Sequence, residues 1–174
     1  MDKEYYAEKG LVGGIASIIF GFYFFSSTLF TFKSSLIEQT GKIENLETYY
    51  RKVESSRGSK SIKSELEFNL NSTQGIYILM KNIGQSRRNY RFEKLKKQLE
   101  KSKIATVWVK RNQKDEYEPT VFQIADKNGE ILYDFEESKS HSKFGFLISL
   151  SFGIFGIGLY LKRKFWKKPT HNTV

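Results

Sequence analysis

Two long blocks without a charged residue constrain this chain more than any other feature. The first runs from Leu11 to Phe32 and the second from Phe144 to Leu161. A helix needs about 20 apolar residues to cross the hydrocarbon core of a bilayer, and about 17 residues is the short end of the observed range. Both blocks reach this length, so we expect each of them to form a membrane-spanning helix.

Other interpretations of the two blocks agree less well with the residues that flank them and with the rest of the chain. A cleavable signal peptide has an apolar region of about 7–15 residues and a small-residue cleavage site, whereas the first block continues directly into Lys33-Ser34-Ser35. A soluble helix that is hydrophobic all round needs a large core, which the polar remainder of the chain does not supply. The second block is followed by cations with Phe165 and Trp166 among them, which is typical of a membrane–water interface.

The charges that flank the blocks predict an orientation, because cytoplasmic flanks of spans are enriched in Lys and Arg. Only Lys139 and Lys143 stand shortly before the second block. The cations that follow it are Lys162, Arg163, Lys164, Lys167 and Lys168. We therefore expect both termini in the cytoplasm. The predicted segments are a cytoplasmic N-terminal tail (1–10), a first span (11–32), an extracytoplasmic β-rich domain (33–143), a second span (144–161) and a basic cytoplasmic tail (162–174).

Small residues recur at every fourth position in both blocks. They are Gly13, Ser17 and Gly21 in the first block and Gly145, Ser149 and Gly153 in the second. Each set lies on one face of a helix, and small side chains let two helix backbones approach closely in lipid. We expect the two spans to pack on each other through these faces. A contact between copies of the chain is one alternative, and the general abundance of Gly in spans is another.

Between the blocks the apolar period changes from helical to two, which is typical of strands. The alternating sets are Leu66/Phe68/Leu70, Ile76/Ile78/Met80, Ala105/Val107/Val109 and Ile131/Tyr133/Phe135. An earlier strand is expected over Leu36–Val53, with a break at Gly41. Asn71–Gly75 and Asp126–Gly129 are predicted hairpin loops, and the second of them contains the tight-turn pair Asn-Gly.

One predicted helix, Tyr90–Ser102, interrupts the strands. Its apolar face is formed by Phe92, Leu95 and Leu99. Glu93 precedes Lys97 by four residues, a favourable spacing for an ion pair. Three strands, a helix and further strands match a small OB-like or SH3-like barrel and, equally, a sheet with one helix on it. The predicted fold class is therefore a membrane protein in which two transmembrane helices flank a β-rich α+β domain.

This layout resembles a broad group of uncharacterised bacterial membrane proteins, in which an SH3-like or OB-like domain lies between two spans. Two segments carry the resemblance, Thr40-Gly41-Lys42-Ile43 after the first block and VFQIADKNGEILYDFEES before the second. The resemblance implies the layout and no particular activity. The chain is rich in Lys, Ile, Asn, Tyr and Phe and poor in Ala. This bias also favours a bacterial source, and we expect the protein in the plasma (inner) membrane.

A dense group of cations surrounds the predicted helix. Its members are Arg87, Arg88, Arg91, Lys94, Lys96, Lys97, Lys101 and Lys103. Only Glu93 and Glu100 oppose them within this stretch. Outside the cytoplasm such a face favours anionic lipid, wall polymer or an acidic partner, whereas on a cytoplasmic OB-like domain it favours nucleic acid. A solvated helix face is the simplest alternative.

Other chemistries have little support in the sequence. The chain lacks cysteine, which excludes disulfides and zinc sites built on thiolates. The strand aromatics Tyr49, Tyr50, Tyr77, Trp108 and Tyr133 are expected to pack rather than bind, and the carboxylates at Asp115, Glu116 and Glu118 fit no known cation loop. The blocks contain none of the ionisable residues that pumps use, and no catalytic motif is present. We expect no enzymatic activity, no metal site and no cofactor.

The sequence favours a small integral membrane protein that presents an extracytoplasmic binding or accessory domain for assembly, sensing or envelope interaction. Its expected partners are the lipid bilayer, anionic lipid or wall polymer, and another membrane protein or a second copy. Nucleic acid is not an expected partner of a domain outside the cell. Two alternatives stay open, a cytoplasm-facing basic β-barrel that binds nucleic acid or a cytoplasmic partner, and an accessory subunit of a transporter or channel.

Overall fold

The structure, a computed structural model, describes residues 3–56 and 58–165. The helices are α1 (Lys3–Leu29), α2 (Tyr90–Ser102) and α3 (Phe135–Phe165). The strands are β1 (Leu36–Glu54), β2 (Lys60–Leu70), β3 (Ile76–Asn82), β4 (Ile104–Lys110), β5 (Gln123–Asp126) and β6 (Ile131–Tyr133). They divide into two compact units, a sheet unit of Phe32–Ser138 and a helical unit that holds α1 and α3 from Lys139 onward.

Two helices are long and apolar enough to cross a membrane, over Glu8–Leu29 and Phe135–Phe165. They contain most of the two uncharged blocks. The first helix ends at Leu29, short of the predicted end, and the chain is extended by Phe32. The second helix begins well before Phe144, so the end of the predicted β-rich domain, from Phe135 onward, is helical. Large apolar side chains on both helices are exposed, which a helix inside a soluble core would not show.

The strands form one antiparallel sheet in the order β3-β2-β1-β4-β5-β6. The long central strand joins the two halves, since Leu36–Lys42 of β1 pairs with β4 and Ile43–Glu54 pairs mainly with β2. The order is open, with β3 at one end and β6 at the other. Among the described residues the fold is therefore a sheet with one helix, the second of the two predicted alternatives, and not a closed OB-like barrel.

The core of the sheet unit lies between one face of the sheet and α2. The predicted helix bounds are confirmed, and its apolar face is buried against the strands. The predicted sets on β2 and β4 are also buried. On β3 the buried residues are Tyr77 and Leu79, while Met80 is 52% exposed. The predicted apolar set on β3 was therefore on the wrong face, because this strand has large apolar residues on both sides and its pattern alone does not choose between them.

The predicted break in β1 needs correction. β1 does not break at Gly41, which continues the strand and pairs with Ala105. An added Cβ at Gly41 would meet the Ser72 hydroxyl, so the glycine allows the β2–β3 loop to approach the strand. The irregularity lies instead between Glu44 and Glu47, where the pairing with β2 shifts and Asn45 has a positive φ of 50°.

The last hairpin is confirmed, with a different strand end. Asp126 and Glu130 close the turn through a backbone hydrogen bond of 3.0 Å, and Gly129 has a φ of +82° as the turn requires. β6 ends at Tyr133, and Phe135 begins α3 instead of continuing the strand. The buried residue of β6 is Leu132, which lies between Ile131 and Tyr133 of the predicted apolar set.

Candidate functional site

The candidate site is built on α2, whose ends and inner face are well defined. Asn89 caps the first turn, where its side-chain oxygen accepts the Phe92 N–H at 3.4 Å. The last turn closes at Lys103, which adopts a left-handed conformation and donates its N–H to the Leu99 carbonyl at 2.9 Å. Because the inner face is packed on the sheet, the orientation of the outer face is fixed.

Six of the eight predicted cations are exposed. They are Arg87, Arg88, Lys94, Lys97, Lys101 and Lys103, and we call them the basic surface. None of them forms a salt bridge within the part of the chain that the structure describes. Lys94, Lys97 and Lys101 follow one another at helical spacing on the outer face. Tyr90, which is 77% exposed, precedes them at the N-terminal end of the same row.

Arg91, predicted to belong to the cationic face, has a structural role instead. Its Nε and Nη2 atoms donate to the two carboxylate oxygens of Glu137 at 3.0 and 2.6 Å, and Nη2 also donates to the Leu132 carbonyl at 2.7 Å. This bidentate geometry is the strong form of an arginine–carboxylate pair. The hydrogen bond to Glu137 raises the pKa of Arg91. Burial, and then the charge of Glu137, raise the pKa of neighbouring Tyr133 to about 12.

Lys96 is the second predicted cation with local partners. Its Nζ atom lies 3.2 Å from a carboxylate oxygen of Glu47 and 3.9 Å from one of Glu100. The expected pair between Glu93 and Lys97 is absent from the described residues, since the Tyr50 hydroxyl donates to Glu93 at 2.5 Å instead. The Lys96–Glu47 and Glu93–Tyr50 contacts connect α2 to β1, and the local spacing along the helix does not reveal them.

The strand aromatics and the carboxylate group do not assemble a site. Tyr77 lies in the core, stacked on Phe68 with ring centroids 5.3 Å apart. Asp115, Glu116 and Glu118 are exposed. Among the described residues no three His, Cys, Asp or Glu side chains are arranged to hold a metal ion.

In the helical unit, α1 and α3 pack against each other through small residues. The Ser17 hydroxyl donates to the Ser149 carbonyl at 2.9 Å, and the Ser149 hydroxyl donates to the Ser17 carbonyl at 2.5 Å. An added Cβ at Gly21 would lie 2.9 Å from Ser149. At Gly145 it would meet the Phe25 ring. The predicted faces therefore meet at these four positions.

The remaining part of the helix contact differs from the prediction. Gly13 lies outside it, because an added Cβ there would have no neighbour within 4 Å. Gly14 takes its place in the contact. An added Cβ at Gly14 would lie 2.8 Å from the carbonyl oxygen of Gly153, which was predicted. Gly10 and Gly156 also approach each other and were missed. The contacting residues on α1 follow the i, i+4, i+7 spacing of a helix face, which would have revealed Gly10 and Gly14.

The residues predicted to set the orientation lie near the end of the second apolar helix. Lys162, Arg163 and Lys164 belong to the last turn of α3. Lys167 and Lys168 lie outside the described residues. At the other end of the helical unit, Lys139 donates from Nζ to the Thr31 carbonyl, just after α1, at 2.8 Å. A cation is favourable near a helix C-terminus.

Searches of protein-family models, of curated proteins and of solved structures find no match to this chain.

Proposed function

We propose that this protein is a two-span membrane protein whose sheet unit lies outside the cytoplasm and binds an anionic polymer or anionic lipid headgroups. The observation that supports this function is the basic surface on α2 and the residues that flank it. Its cations are exposed and lack salt bridges within the described chain, whereas Arg91 and Lys96 of the same helix are paired. Cations without local partners raise the local concentration of anionic ligands.

The row on the outer face explains how a ligand would be bound. Lys94, Lys97 and Lys101 present flexible ammonium groups, which contact anions as point charges without a fixed geometry. Such a row suits a repeating anion or a layer of headgroups better than one small ligand, which would need convergent groups in a pocket. Tyr90 adds an exposed ring at the end of the row. The proposal gives the domain a binding role and assigns it no catalytic step.

The test measures anion binding by the full-length chain held in phosphatidylcholine nanodiscs. Fluorescent linear polyphosphate is one probe, and vesicles that contain phosphatidylglycerol are the other. We expect the triple variant Lys94→Gln, Lys97→Gln, Lys101→Gln to bind about 100-fold more weakly, from roughly 1 kcal/mol for each cation near an anionic surface. We also expect salt to weaken binding by the native chain, because exposed charges are screened.

The matched control is the triple variant Lys60→Gln, Arg111→Gln, Lys127→Gln. These cations are also exposed but lie outside α2, and the net charge changes by the same amount. We expect this variant to bind like the native chain. An equal loss in both triple variants would show attraction by net charge alone, and unchanged binding in the α2 variant would refute the assignment of the basic surface.

A further inference from the structure

β3 has a free edge, because it is the last strand in the sheet order of the described chain. Two hydrogen bonds show which backbone groups of β3 face this edge. At one end the Ile76 N–H donates to the Tyr117 carbonyl at 2.7 Å. Just after the strand, the Ile83 N–H donates to the Ile62 carbonyl of β2 at 2.9 Å. Ile76 therefore directs its N–H away from β2, and Ile83 directs its N–H toward β2.

Backbone groups alternate in direction along an antiparallel strand. The register of β3 on β2 is regular from Ile76 to Asn82, so the outward N–H and C=O groups belong to Ile78, Met80 and Asn82. Sheet edges are normally protected by charged residues, proline or bulges. β3 has no proline and no bulge, and its only charged residue is Lys81. The edge is thus available to another strand.

The opposite end of the sheet is different. β6 consists of only Ile131–Tyr133, and the Leu132 carbonyl already accepts a hydrogen bond from Arg91. Short edge strands with occupied backbone groups are poor sites for strand addition. Of the two ends of the sheet, β3 is the one suited to pairing.

We propose that β3 pairs antiparallel with β3 of a second copy of this chain, with Met80 opposite Met80 across a two-fold axis. In this register Ile78 lies opposite Asn82 of the partner, and every outward backbone group from Ile78 to Asn82 finds a partner. The Met80 side chains, each 52% exposed in the single chain, would pack on each other. Direct cross-strand pairs of this kind are the unit of sheet stabilisation.

The outward groups of Ile78, Met80 and Asn82 lie symmetrically about Met80, so an identical strand from a second copy can pair with all of them. The charges and the occupied groups select this register. Lys81 lies opposite Leu79 of the partner, so no like charges face each other. A two-fold axis at Lys81 would place two ammonium groups opposite each other, which is destabilising. An axis at Leu79 would require the Ile76 N–H, which already binds Tyr117. The chain's net charge of +10 opposes self-association in general, but this strand carries only one cation.

The absence of cysteine from the chain permits a direct test. Met80→Cys is introduced into the full-length protein in membranes, and the thiols are joined by mild oxidation or a short bis-maleimide. Residues opposite each other in an antiparallel pair have Cβ atoms about 4.5–5.5 Å apart. We expect a cross-linked product of twice the 20.3 kDa mass of one chain.

Tyr49→Cys is the matched control. Tyr49 is 41% exposed and lies on the same sheet face, in one row with Glu65 and Met80. In the proposed dimer the two Tyr49 positions are five strand spacings apart, roughly 24 Å at about 4.8 Å each, so no product should form. Equal cross-linking of both variants would overturn the proposal. Failure of Met80→Cys to cross-link, or a product of any mass other than two chains, would also overturn it.

A second measurement removes the pairing without cross-linking. Met80→Lys would place two cations opposite each other at the axis, and we expect this variant to be monomeric in detergent by light scattering coupled to size exclusion. Tyr49→Lys introduces the same charge on the same face and should leave the dimer intact. A dimer that survives Met80→Lys would refute the β3 contact. These readouts are independent of anion binding, so the two proposals stand or fall separately.

Discussion

At the scale of single residues, cations on one helix have two different roles. Arg91 and Lys96 are bound to carboxylates, whereas Lys94 and Lys97 are exposed and lack salt bridges within the described chain. The difference follows from position on the helix, since Arg91 and Lys96 lie beside its buried face. Mutation of Arg91 or Lys96 should therefore lower the stability of the protein, whereas mutation of Lys94 or Lys97 should weaken anion binding.

Arg91→Gln is expected to lower the free energy of unfolding by about 1–2 kcal/mol. Hydrogen bonds to charged groups contribute roughly 1.5–3 kcal/mol to stability. Solvent screening lowers the contribution of this pair, because the side chains of Arg91 and Glu137 are 34% and 37% exposed. Denaturant unfolding followed by circular dichroism measures the change. The control is Arg88→Gln, at an exposed site without a salt bridge among the described residues. This variant should change the free energy of unfolding by less than about 0.5 kcal/mol. Equal effects would contradict the structural role of Arg91.

At the scale of elements, the contact between α1 and α3 depends on the close approach of two backbones. Gly14 and Gly153 face each other, and the hydroxyls of Ser17 and Ser149 bond reciprocally to the opposite helix. Within a bilayer, packing of this kind and hydrogen bonds between helices are the main sources of association. A larger side chain at Gly14 has no room, whereas one at Gly13 does.

Gly14→Leu should separate the two helices, and Gly13→Leu should not. The readout is disulfide formation between Ser17→Cys and Ser149→Cys, whose hydroxyl oxygens lie 3.3 Å apart in the native chain. We expect Gly14→Leu to abolish this disulfide because its side chain would collide with the Gly153 carbonyl. Gly13→Leu, with no neighbour to meet, should leave disulfide formation unchanged. A disulfide that persists in Gly14→Leu would contradict this helix contact.

At the scale of the whole molecule, the proposed function depends on which side of the membrane the sheet unit occupies. The two apolar helices and the cations at the end of α3 favour an outward domain under the positive-inside tendency. The test places single cysteines at Ser72, in the exposed β2–β3 loop, and at Thr173, outside the described residues.

Intact cells are treated with a membrane-impermeant maleimide. We expect Ser72→Cys to be labelled and Thr173→Cys to be labelled only after the cells are opened. The reverse pattern would place the sheet unit in the cytoplasm, and the basic surface should then be tested against nucleic acid. Labelling of both sites in intact cells would be inconsistent with a two-span arrangement.

Local patterns determined much of this protein from the sequence alone. Three features depend on residues close together in the chain: the absence of charge over a span-length block, the period-two strands and the apolar face of the helix at Tyr90–Ser102. The order of the strands, the buried face of β3 and the roles of the cations do not. Arg91 and Glu137 are 46 positions apart, and β3 has apolar residues on both faces. Only the tertiary structure brings such residues together, because burial and pairing are set by long-range contacts and not by spacing.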